Sequence, residues 1–137
     1  MSRQSFVKQS PEQHGNGCLL VKPSEETQHF DFCSDVLYLN EKNQVGLEFN
    51  WDIRVRIDGV ITTDEESFIQ MMDAVVVIAK RFQYPKLFFA DSLKDEVLEM
   101  FLNYGFVETA VMGDPYNHYL DFDIEKSKGV SIWQEVV

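Results

Sequence analysis

A chain of 137 residues with 45% hydrophobic and 26% charged residues has the length of one domain and a globular composition. Its 23 acidic residues against 12 basic ones give a net charge of −11, which argues against direct binding to nucleic acid or an anionic membrane surface, since both are held by Lys and Arg. Cys18 and Cys33 stand in no CxxC or metal-ligand spacing, so two reduced thiols are expected rather than a disulfide scaffold.

Residues 1–17 are rich in Ser, Gln, Gly and Asn and predict a poorly ordered arm, leaving 18–137 as a single domain. This arm has no apolar leader, and the longest apolar run, Ala74 to Ala79, is far short of the roughly 20 residues that span a bilayer. A cytoplasmic protein is therefore expected. Cys18 to Val21 is a short apolar strand, and Ser24 opens a short helix reaching Phe30 or Phe32. Val36 to Asn40 and Gln44 to Trp51 read as a hairpin joined by Glu41, Lys42 and Asn43. Ile53, Val55 and Ile57 alternate with Arg54 and Arg56, which predicts a half-buried strand ending in a turn at Asp58 and Gly59.

Thr63 and Glu66 have the capping-box spacing that starts a helix, here expected to run to about Tyr84. Its apolar residues, from Phe68 to Phe82, occupy most of the circumference and predict a largely buried helix. Leu87 to Ala90 is a continuous apolar strand of the kind found mid-sheet. Asp91 or Ser92 is expected to cap a second helix that stops at Gly105. Val107 to Met112 and Asn117 to Ile124 complete the strands, separated by a turn at Gly113, Asp114 and Pro115. The resulting fold class is α/β (α+β mixed): a central mixed sheet with helices on both faces.

This order, together with the stretch Lys86 to Phe106 (KLFFADSLKDEVLEMFLNYGF), resembles the GCN5-related N-acetyltransferase (GNAT) fold. The resemblance covers about Leu19 to Ile124 by element order, and Lys86 to Phe106 corresponds to the family's fifth strand, fourth helix and terminal Gly-Phe. It implies an acyl-coenzyme A pyrophosphate bound by backbone N–H groups of a glycine-rich loop at a helix N-terminus. The matching segment here, Asp58 to Glu66, has one glycine, no arginine and three acids in the first helical turn, so no cofactor is expected. Acetyl-CoA enters only if the chain is an enzyme. The resemblance places the family's Asn and Ala on Lys94 and Val97 and its proton-donating Tyr on Phe101, which has no proton to give. Tyr104, three residues on, is the substitute general acid, and Glu48 is the candidate general base.

Other features have plainer readings. His14, His29 and His118 lack metal-ligand spacing, and no metal site is expected. Asp121, Asp123 and Glu125 share one strand face as a solvated edge, and Trp51, Tyr116, Tyr119 and Trp133 read as core or core edge. Small size and acidity are similar to those of many phage-encoded proteins. Three functions follow: a GNAT-like domain without acyl-CoA that acts as a protein-binding or structural protein, its partner a basic one on grounds of charge; an N-acyltransferase acting on an amine; or an acidic nucleic-acid mimic that occupies a basic protein site.

Overall fold

The computed structural model of the protein describes residues 17–51 and 53–124. The expectations for the N-terminal arm, His14, Glu125 and Trp133 lie outside them, as does the side chain of Trp51. Seven strands form one sheet: β1 (Leu19–Val21), β2 (Asp35–Asn40), β3 (Asn43–Trp51), β4 (Arg54–Ile61), β5 (Lys86–Asp91), β6 (Val107–Thr109) and β7 (His118–Asp123). Their spatial order is β1-β2-β3-β4-β5-β7-β6. Every pairing is antiparallel except β4 with β5, because those two are joined by a crossover helix instead of a hairpin.

That crossover is α1 (Glu65–Arg81), and α2 (Asp95–Tyr104) follows β5. Both α-helices lie on one face of the sheet, where Phe68, Met72, Val75 and Ala79 of α1 and Phe101 of α2 share a core with Leu37, Leu47, Val55, Ile57, Leu87, Phe89, Leu120 and Phe122. The other face is covered over β1 to β4 by a 3₁₀ helix (Glu25–Phe30), with Phe30, Val21, Cys33, Val36 and Tyr38 in a smaller core. Phe30 can lie on the strands because Gly46 and Gly59, paired across β3 and β4, have no side chains beneath it. Both cysteines are free and buried. Among the described residues no helix is long and apolar enough to cross a membrane.

Several expected boundaries move, each for a local reason. Asp58 and Gly59 are not a turn; they lie inside β4, which keeps pairing with β3 as far as Ile61 opposite Gln44. Ile53 precedes the strand and is 56% exposed, so only Val55 and Ile57 of the three alternating residues are buried. The cap of α1 is Asp64 rather than Thr63, and the helix ends at Arg81 because Phe82 and Gln83, the latter at φ 66°, turn the chain toward Pro85. α2 begins two or three residues later than expected: Lys94 occupies the cap without a side-chain bond, while Asp91 accepts from the Ser92 N–H at the end of β5. Gly105 ends α2 at φ 126°, a conformation that costs glycine little. β6 stops at Thr109, and Tyr116 is 81% exposed rather than part of the core.

Candidate active-site cleft

β4 and β5 stay paired only from Arg54 opposite Lys86 to Ile57 opposite Phe89. Beyond that point β4 continues along β3, and β5 runs to Asp91 along β7. The parting starts at a β-bulge. Leu47 pairs with Ile57 and Gly46 with Gly59, so Asp58 is an extra residue on β4, and such an insertion bends and twists the strand that carries it.

The diverging ends leave a cleft of about 470 Å³, within the usual size of a small-molecule site. One wall is Val60, Ile61, Thr62 and Thr63; the other is Ser92, Leu93, Lys94, Glu96, Val97 and Met100. The first wall is pinned by Asn43, a buried residue at the start of β3. Its Oδ1 accepts from Thr62 Oγ1 at 2.8 Å and from the Thr63 N–H at 2.9 Å. Its Nδ2 donates to Asn40 Oδ1 at 3.0 Å and to Thr63 Oγ1 at 3.1 Å. All the hydrogen-bonding capacity of a buried amide is thus spent on joining the β2–β3 hairpin to the turn that precedes α1.

The N-terminus of α1 opens beside this wall. Asp64 stands there in an extended conformation with its Oδ1 accepting from the Ser67 N–H at 2.7 Å. That bond, followed by those from Thr63 and the Ser67 side chain, holds the Asp64 carboxyl below its ordinary range. Glu65 and Glu66 occupy the first turn, so the positive end of the helix already faces three carboxylates. Asp95 and Glu96 do the same at α2.

Of the residues singled out in sequence, Lys94 and Val97 line the cleft. Phe101 does not; it is fully buried with its ring 5.0 Å from that of Phe68 and 5.2 Å from that of Phe89. Tyr104 packs against Phe68 and Phe122 on the helix side of the sheet and donates from its Oη to Asp73 Oδ1 at 2.6 Å. Burial, and then Asp73, push its phenol far above the ordinary range. Glu48 lies on the opposite face, since its neighbour Leu47 is in the helix-side core, and its Oε2 accepts from the Ser34 N–H at 2.9 Å. The structure therefore brings Glu48 and Tyr104 neither together nor into the cleft lining.

His29 is exposed, and His118 bonds Glu108 at 2.5 Å through Nδ1. Asp121 faces Phe88 and Asp123 faces Lys86 across β5 and β7. The sequence placed Asn43 and Asp58 in turns and gave neither them nor Asp73 a site role. The signal for Asn43 was its place beside a hairpin turn; Asp58 and Asp73 carried none.

No protein-family model and no curated protein sequence matches the chain. Solved structures do. An aminoglycoside 6'-acetyltransferase type Ii superposes with a TM-score of 0.53 at 7% identity, over 80% of this chain and 71% of that one. An N-acetyltransferase from Staphylococcus aureus gives 0.51 at 15% identity, over 80% and 69%. A "probable" acetyltransferase of the GNAT family from Chromobacterium violaceum gives 0.51 at 10% identity, over 91% and 66%. The mixed seven-stranded sheet, its two α-helices and the parted β4 and β5 thus define a protein with the GNAT fold.

Proposed function

We propose that this GNAT-fold domain does not bind acyl-CoA and works in the cytoplasm by binding a protein. The observation that carries this reading is the Asp64 cap. Its carboxylate takes the Ser67 N–H at 2.7 Å, in the place where the fold would present N–H groups to a pyrophosphate. Asp64, Glu65 and Glu66 would add repulsion to a ligand that carries several negative charges of its own. The residues at the helix N-terminus do not fit the group.

The partner's chemistry follows from charge. Acidic residues fill the first turns of both α-helices, and Lys94 is the one cation in the cleft lining among the described residues. A basic protein surface complements this rim. Isothermal titration with acetyl-CoA tests the first half of the reading: no heat is expected, and micromolar binding overturns it. Binding of a basic partner is expected to weaken as salt rises from low to moderate ionic strength.

The second reading is an acyl-CoA-dependent N-acyltransferase. The open cleft between β4 and β5 and the likeness in fold to acetyltransferases favour it. Acetyl transfer to an amine in a coupled thiol assay would establish it, and would require a proton donor other than Tyr104 in its observed hydrogen bond.

A further inference from the structure

Cys33, Glu48 and Asp58 converge on the sheet face opposite the α-helices. Cys33 comes from the connection between the 3₁₀ helix and β2, Glu48 from the outward positions of β3, and Asp58 from the bulge of β4. One ligand atom from each lies within 4.8 Å of the other two. Gly46 makes this approach possible, since a Cβ there would stand 2.6 Å from Cys33 Sγ.

The cluster is more than an accumulation of acids. The Asp58 side chain is 10% exposed, and its Oδ2 is sealed from solvent with no hydrogen-bond partner, while Oδ1 meets Arg56 Nε at 3.0 Å. A buried carboxylate oxygen left without a partner costs free energy that a cation would recover. Glu48 is oriented in advance by the Ser34 N–H on its Oε2, while Arg56 Nε stands 3.0 Å from the other Asp58 oxygen as an ion pair without hydrogen-bond geometry. Such outer bonds are how ligating carboxylates are commonly held.

We propose that Cys33, Glu48 and Asp58 form a binding site for a divalent ion of the zinc class, with the Cys33 thiolate, one oxygen from each carboxylate and a solvent molecule as ligands. The donor set selects the ion. Zinc accepts sulfur and oxygen together in four-coordinate geometry, whereas calcium and magnesium require six or more oxygens and have no use for a thiolate. Tetrahedral bonds of about 2.0–2.3 Å bring ligand atoms to about 3.5 Å apart, so separations that nowhere exceed 4.8 Å close by at most about 1.3 Å through side-chain rotation. On binding, the Cys33 S–H bond breaks, the sulfur keeps the electron pair and donates it to the ion, and the proton leaves to solvent. Burial, and then the neighbouring Asp58 and Glu48, push the Cys33 thiol up, while burial, and then Glu48, raise Asp58 against the opposing pull of Cys33 and Arg56. A bound cation relieves the crowding of a thiol and two carboxyls.

The test uses the full chain, stripped with a chelator and titrated with Co²⁺ as a spectroscopic probe for Zn²⁺. A sulfur-to-cobalt charge-transfer band saturating at one ion per chain is expected, bleached by added Zn²⁺. Zn²⁺ at a hundredfold excess over its Kd should raise Tm by roughly 10 °C, reversed by chelator. Cys18→Ser should keep the band, Cys33→Ser should lose it, and Asp58→Asn should weaken Co²⁺ binding at least tenfold. No band in the wild type, a band that survives Cys33→Ser or vanishes in Cys18→Ser, or unchanged binding by Asp58→Asn overturns the proposal. Should Cys33→Ser fail to fold, the wild-type titration and Asp58→Asn decide, since Asp58→Asn preserves shape.

Discussion

Tyr104 donates its phenolic proton to Asp73 Oδ1 at 2.6 Å, tying the last residue of α2 to the middle of α1. Around this bond the rings of Tyr104, Phe68, Phe106 and Phe122 pack with centroids 5.1 to 6.3 Å apart. A residue that sequence offered as a proton donor for catalysis is, in the folded chain, a brace between two helices.

Tyr104→Phe is expected to lower unfolding free energy by about 1–2 kcal/mol, the range for a hydrogen bond to a charged group that remains partly solvated. Urea denaturation should show a lower midpoint with an unchanged slope. A fall in activity without a fall in stability would contradict the bracing role.

Asp73 also sets a pH dependence. Burial raises its pKa in the folded state above 3.8, against the opposing pull of the Tyr104 hydrogen bond. The folded chain therefore binds more protons than the unfolded one between the ordinary and the raised value. Its contribution to stability is complete below the ordinary value and is lost as pH rises through the raised one. Melting temperatures measured across this window should fall less steeply with rising pH in Asp73→Asn than in the wild type.

Asp64 has the opposite sign. Its carboxyl is held low by the Ser67 N–H, so the stability it contributes is present above 3.8 and is lost as pH falls through the lowered value. Asp64→Ala should lower Tm at neutral pH, and the difference from the wild type should shrink toward the acid limit.

Asn43→Ala removes the hydrogen bonds that tie Thr62 and Thr63 to Asn40 and the β2–β3 hairpin. A loss of about 2–3 kcal/mol is expected, most of it from polar groups left unpaired. Amide exchange should locate the damage at Thr63, whose N–H then has no acceptor in Asn43; protection unchanged at Thr63 would refute the pinning role of Asn43.

Gly46→Ala places a Cβ 2.6 Å from Cys33 Sγ and 2.8 Å from Phe30 Cδ1. The smaller core beneath the 3₁₀ helix must open, at about 1–3 kcal/mol, and thermal melting should report it.

The elements themselves were legible in the sequence because each rests on periodicity within a few residues. β-rich segments about a short polar connection gave β2 and β3, alternation gave β4 and β7, the apolar circumference gave a buried α1, and Gly105 marked the end of α2. Element order carried the likeness to the GNAT fold, and three acids in one helical turn carried the expectation that no pyrophosphate binds there. Where the ends fell depended on partners elsewhere in the chain. Asn43 holds Thr63 and leaves Asp64 to cap α1, and continued pairing with β3 carries β4 through Asp58 and Gly59.

By itself the sequence determined the composition of each face and the sign of the surface charge, which are sums over local residues. Only the tertiary structure decided that one extra residue, Asp58, would part β4 from β5, that Tyr104 would meet Asp73, and that Cys33, Glu48 and Asp58 would meet on one face of the sheet. Those relationships join residues far apart in the chain, and what brings them together is sheet register and close packing, which no local pattern encodes.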